Sequence, residues 1–235
     1  MMMQQFEFHK AVILHTRAYR ETSLIVEFFT EKLGRITAVA KGAKRAKSPF
    51  RGILQPFVPL QIQFSGRREL QTLRDAQIHG ELLKLQGPAL LSSLYLNELL
   101  LKLLAKEDPH PELFIAYQIT LTALSQSQSI EVNLRCFELQ LLKELGYELQ
   151  LEYCQNQPVQ AECYYHYQYD KGLLAADLTQ AAETKAYPFL GANLLALAKQ
   201  KFSNRSQLQD AKHLLRYVIS QILGHKIINS RALFE

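Results

Sequence analysis

The hydrophobic period of this chain changes once, close to residue 80, and that change limits the folds open to it. Up to that point apolar residues recur at about every second position. AVILHTRAY (11–19), SLIVEFFT (23–30), RITAVAKG (35–42), VPLQIQFSG (58–66) and ELQTLRDAQI (69–78) are rich in β-branched and aromatic residues, which predicts five short strands. Lys32-Leu33-Gly34 and Ser65-Gly66-Arg67 supply turn signals between them. An open sheet this short would leave two unpaired edges, so a closed or nearly closed barrel is expected over residues 1–80.

After Pro88 the spacing is helical. ALLSSLYLNELLLKLLAKED (89–108), ELFIAYQITLTALSQ (112–126) and IEVNLRCFELQLLKELGY (130–147) each carry a broad apolar face, as do NLLALAKQKF (193–202) and SQLQDAKHLLRYVISQIL (206–223). Gly146 is placed as the residue just past the third helix, with Lys143 in its last turn, and Asn204 or Ser206 is available to cap the last. Residues 148–175 lose this period and read as a small β-type excursion. The fold class is therefore α+β: a five-stranded barrel (1–80) followed by a mainly helical domain (81–235). At 48% hydrophobic and 21% charged residues, 235 residues suffice for a real core.

Charge is unevenly divided. Residues 1–80 hold 13 Lys and Arg against 6 Asp and Glu, whereas 81–235 hold 14 against 16. Between residues 35 and 51 stand Arg35, Lys41, Lys44, Arg45, Lys47 and Arg51 with no acid among them. Most of these lie in KGAKRAKSPFRGILQP (41–56), the longest gap between strands, at the barrel mouth. Uncompensated positive charge suits a polyanion, and the plain alternative is a solvated loop. A mobile basic loop beside a concave strand face would neutralise phosphates without reading bases. Six phosphate contacts give a salt slope of log K of about −4 for a single strand.

Several chemistries lack their residues. GAKRAKS (42–48) does not have the spacing of a nucleotide-cradling P-loop, no G-x-G-x-x-G follows a strand, and neither G-x-S-x-G nor H-E-x-x-H occurs. The seven His are scattered. Cys154, Cys163 and His166 form C-x8-C-x2-H, three candidate zinc ligands where structural sites generally take four. Cys136 is read as a core residue. The alternation of Tyr165, Tyr167 and Tyr169, with Tyr153 and Tyr164 nearby, suits one face of a strand or a set of base-stacking rings. The start, MMMQQFEFH, lacks the pattern of a secretory signal, no apolar run reaches the ~18 residues of a membrane span, and three Cys do not make a disulfide framework. A cytoplasmic, reducing setting without membrane attachment is expected.

The run ETSLIVEFFTEKLGRITAVAKGAKRAKS (21–48), then LQPF (54–57) and TLRDA (72–76), resembles the amino-terminal domain of the bacterial recombination mediator family RecO. The resemblance continues in LYLNELLLKLL (94–104), LRCFELQLLKELGY (134–147) and SRALF (230–234). It implies an OB-type barrel and a non-enzymatic role in DNA repair and homologous recombination. That role comprises binding single- and double-stranded DNA, annealing complementary strands, and working with RecR to place RecA on DNA coated with single-strand-binding protein. The family's basic surface maps onto Arg35, Lys41, Lys44, Arg45, Lys47 and Arg51, and extends to Arg67, Arg68 and Arg74. An apolar groove of the helical domain would take the acidic tail of single-strand-binding protein, with Arg135 for its carboxylate or, alternatively, as an ordinary surface arginine. Some members carry a four-cysteine zinc module in the region matching 150–175. Here only Cys154 and Cys163 stand there, so no cofactor is expected. An RNA-binding factor built on the same barrel is the alternative reading.

Overall fold

The structure is a computed structural model that describes residues 7–66, 70–126, 128–176, 187–224 and 226–234. It divides into two compact units, Met1–Gln128 with Ile228–Glu235, and Ser129–Ile227.

Unit 1 opens with the five expected strands: β1 (His9–Tyr19), β2 (Ser23–Thr30), β3 (Gly34–Ala40), β4 (Leu60–Ser65) and β5 (Gln71–Ile78). They close a barrel in the order β1-β2-β3-β5-β4, antiparallel throughout except where β3 runs parallel to β5 at Ala38 and Val39. Alternate residues fill the interior: Ala11 and Ile13, Val26 and Phe28, Ile36, Ala38 and Ala40, Leu60, Ile62 and Phe64. In β5 the inward residues are Leu73 and Ala76, because the register slips at Arg74. β2 is apolar almost without a break because it is covered on both faces. Phe28 points into the barrel, while Phe29 meets the rings of Phe114 and Tyr117 edge to face. The turn into β3 requires glycine. Gly34 has φ +68°, and a Cβ there would lie 2.0 Å from the Asp108 carbonyl oxygen.

Two helices, α1 (Gly87–Leu103) and α2 (Pro111–Ser125), belong to the same compact unit as the barrel. A buried polar knot ties them on. A register shift in β1 leaves Leu14 without a partner in β2, and Asn97 Nδ2 donates to the carbonyls of Leu14 at 2.9 Å and Ile13 at 3.4 Å. Asn97 Oδ1 in turn accepts from the Tyr117 hydroxyl. α1 stops earlier than its apolar pattern predicts. Leu104 is already extended, at φ −76° and ψ 136°, and the chain turns back so that the Glu107 N–H donates to the Arg35 carbonyl at 3.0 Å.

The carboxyl-terminal 3-10 turn (Asn229–Phe234) is clamped by Glu98, whose carboxylate accepts from the N–H groups of Asn229 (2.8 Å) and Ser230 (2.7 Å) and pairs with Lys102 at 3.2 Å. Burial alone would raise the Glu98 pKa. The hydrogen bonds from Ser230 and Asn229, and the Lys102 ammonium, outweigh it and hold the group below its ordinary 4.5. A depressed carboxylate stabilises the fold above its unfolded pKa and loses that contribution as pH falls through the lower folded value. Amide exchange at 229–230 is therefore expected to stay slow, once corrected for intrinsic rates, through the range where an ordinary glutamate protonates and to accelerate only at more acidic pH. A Glu98→Gln chain should exchange fast throughout.

Unit 2 contains α3 (Ile130–Glu144), α4 (Gly191–Ala198) and α5 (Arg205–Ile222) with two small sheets. α3 ends at Gly146, φ +80°, where the Tyr147 N–H reaches back to the Leu142 carbonyl at 2.8 Å. Asn204 caps α5, its side chain accepting from the Gln207 N–H at 3.0 Å. The expected β excursion comprises the hairpin β6 (Tyr153–Cys154) and β7 (Gln157–Pro158), then β8 (Tyr164–Gln168) and β9 (Gly172–Ala175). β10 (Phe189–Leu190) joins the outer edge of β8 and had no sequence signal, since two residues carry no period. No helix among the described residues is long and apolar enough to cross a membrane.

Candidate nucleic-acid interface

Residues 41–56 leave β3 and return to β4 as a chain of tight turns. The N–H groups of Arg45, Ser48, Arg51 and Ile53 each donate three residues back, to Gly42, Arg45, Ser48 and Phe50. Two further bonds fasten this segment to the turn between β1 and β2: the Lys44 N–H to the Thr22 carbonyl at 2.9 Å, and the Gly42 N–H to Ser23 Oγ at 3.4 Å. Ala43, Phe50 and Leu54 are buried as part of the barrel core. The mobile arm expected from the sequence is thus a fixed cap, because its apolar residues plug the mouth while its cations point outward.

Lys41, Lys44, Arg45, Lys47 and Arg51 are all exposed on this cap. Among the described residues, none of the five has a carboxylate within ion-pairing distance. Arg51 donates to the Ala46 carbonyl at 3.2 Å and bridges the cap across itself. Between cap and barrel lies a groove of about 570 Å³, with Leu24, Ala43, Phe50 and Leu54 on its floor and Lys44, Arg45 and Arg51 at its rim. Such a surface attracts phosphates at its edge and tolerates a base or sugar on its floor, with no geometry that selects one base.

The other predicted residues are placed differently. Arg35 is half-buried, and its guanidinium donates to the Leu101 carbonyl near the end of α1, so it stands apart from the cap. Arg74 is exposed at the β5 register shift and donates to Ser65 Oγ. Arg67 and Arg68 lie outside the described residues. In unit 2, Arg135 is only 5% exposed, and its guanidinium pairs with the fully buried Glu138 at 2.9 Å. It is neither a surface arginine nor an open ligand for an incoming carboxylate. Two cations went unread: Arg17 on β1, and Arg20 in the turn that the cap is bonded to, its guanidinium 5.2 Å from the centre of the Tyr19 ring. Their sequence signal was R-A-Y-R just before a turn.

The candidate zinc ligands have separate surroundings. Cys154 is buried, with its thiol donating to the Leu173 carbonyl at 3.2 Å, whereas Cys163 is exposed. His166 Nδ1 sits 3.3 Å from the Tyr187 carbonyl. No group of three His, Cys, Asp or Glu able to hold a metal occurs among the described residues. Cys136, read as core, is half-exposed.

A five-stranded barrel whose mouth is capped by carboxylate-free cations has the charge and shape of a nucleic-acid-binding protein. The family described as Recombination protein O N terminal matches residues 3–81, and Recombination protein O C terminal matches 85–232. Proteins named DNA repair protein RecO are similar over nearly the whole chain. That of Actinobacillus pleuropneumoniae serotype 5b (strain L20) is 40% identical over 230 residues, 97% of this chain and 94% of that one. That of Coxiella burnetii (strain RSA 331 / Henzerling II) is 41% identical over 235 residues, 99% of each. The chain belongs to the RecO family of DNA repair and recombination proteins.

Proposed function

We propose that the chain binds single- and double-stranded DNA through the capped barrel mouth, anneals complementary strands, and works with RecR to load RecA onto DNA coated with single-strand-binding protein. The observation that carries this reading is the fixed cap with five exposed cations and, among the described residues, no carboxylate partner. Two strands repel through their phosphates, and a cationic surface that engages both backbones lowers that repulsion while leaving base edges free to pair. No bond is made or broken by the protein, so the role is not enzymatic. No cofactor enters, and the place of action is the cytoplasmic DNA.

Holding the acidic tail of single-strand-binding protein would bring the mediator to the same strand and add the two contacts through effective concentration. Arg135 drops out as the ligand for the tail's carboxylate, since Glu138 already occupies it.

The test is annealing of complementary oligonucleotides followed by fluorescence, first bare and then coated with single-strand-binding protein. The chain is expected to accelerate pairing in both cases, and more with DNA than with matched RNA strands. Equal rates with and without the chain would refute the reading.

A further inference from the structure

We propose that unit 2 carries a second contact for single-stranded DNA, an aromatic strip formed by Tyr167, Tyr187, His213 and Tyr217 on which bases stack. This rests on the reading that the chain binds DNA and adds a site that uses none of the barrel residues. Among the described residues, every exposed tyrosine lies in unit 2, with Tyr187 at 43% and Tyr217 at 40% exposure. In unit 1 the exposed large hydrophobics are Phe8 and aliphatic residues such as Leu82 and Ile119.

The strip is built rather than incidental. Tyr187 lies flat on His213, with ring centres 4.4 Å apart and planes 9° from parallel, and Tyr167 meets Tyr217 edge to face at 6.3 Å. The Tyr187 hydroxyl donates to Asp210 at 2.8 Å, and Asn193 holds the other carboxylate oxygen at 2.8 Å. Asp210, His213 and Tyr217 follow one another along one side of α5, so two of the rings are presented by a rigid helix. The rings are therefore oriented before any ligand arrives, which spares the entropy of ordering them.

Charge beside the strip fits the same occupant. Lys212 and Arg216 stand four residues apart on the neighbouring side of α5, with Arg216 exposed. Burial lowers the Lys212 pKa first, and the nearby Arg216 and Arg135 lower it further, with Glu131 and Glu138 opposing. Cations beside exposed rings are the arrangement that takes phosphates and bases together, without sequence preference. A protein partner would instead seek a pocket for an anchoring side chain. Annealing also needs a place for a second strand, which a site on the other unit supplies.

The experiment uses the full chain and oligothymidylate carrying 5-iodouracil, irradiated and mapped by mass spectrometry. Adducts are expected on Tyr187, His213 or Tyr217; adducts confined to residues 7–66 would overturn the proposal. In parallel, Tyr217→Ala should weaken oligothymidylate binding about tenfold with no change in salt slope, because a lost ring frees no counterion. Tyr217→Phe should restore it, since the ring face remains. A Lys212→Gln/Arg216→Gln chain should instead lose about 1.4 from the slope, at ~0.7 per phosphate.

An unaltered affinity in Tyr217→Ala overturns the strip, whether or not that variant loses a protein partner. Loss of binding only when the cap cations are removed leaves the barrel reading standing and refutes this one. Loss only on changing Tyr217 does the reverse.

Discussion

A chain in which Lys44, Arg45 and Lys47 are all replaced by Ala is expected to bind single-stranded DNA about 50-fold more weakly at physiological salt. The figure follows from ~0.7 counterions released per phosphate contact, three contacts, and a reference near 1 M salt where the term vanishes. Folding should be untouched. All three side chains are exposed, and the cap is held by the Lys44 N–H, Phe50 and Leu54, none of which the substitutions remove. Annealing should fall with affinity while the melting curve stays in place. A variant that anneals as before would clear the cap of any role, and one that melts early would show that the cations hold the loop.

Glu138→Ala is expected to destabilise unit 2 by about 3–5 kcal/mol, the cost of stranding a buried charge. Arg135 has almost no access to water, and Glu138 is its ion-pair partner, itself completely buried. Removing the carboxylate also leaves Arg135 with the like charge of Lys212, to which it is electrostatically coupled. Replacing the pair together, as Arg135→Met with Glu138→Leu, should recover most of the loss, because an apolar pair of similar volume needs no solvation. Chemical denaturation of the three chains decides it. A cost below ~1 kcal/mol for Glu138→Ala would mean that water reaches the pair, and Arg135 would then return as a candidate for a partner's carboxylate.

Much of the fold was legible. The five strands follow from period two, and their closure from the cost of edges. The cap's charge was plain in the sequence. What could not be read were facts that depend on residues far apart in the chain. Arg35 looks identical to its neighbours until β3 and the end of α1 meet, when its guanidinium finds the Leu101 carbonyl. Arg135 looks like a surface residue on an amphipathic helix until its buried pairing with Glu138 is seen. The rigidity of the cap depends on Phe50 and Leu54 reaching the barrel core, whereas a stretch dense in Lys, Gly and Pro reads locally as a mobile loop. Arg17 and Arg20 were passed over because they flank Tyr19 in a strand pattern, and only the bond from Lys44 to Thr22 places the cap beside their turn. Helix α1 ends at Leu103 although the apolar spacing runs on through Leu104 and Ala105, because the chain turns back there to bond β3 through Glu107 and Arg35.

The most direct test of the cap is the salt dependence of single-strand affinity in the native chain and in the triple alanine variant. The five cap cations alone contribute about −3.5 to the slope of log K against log salt in the former, and the latter is expected to be shallower by about 2. A slope near zero in the native chain, or the same slope in both, would contradict the account.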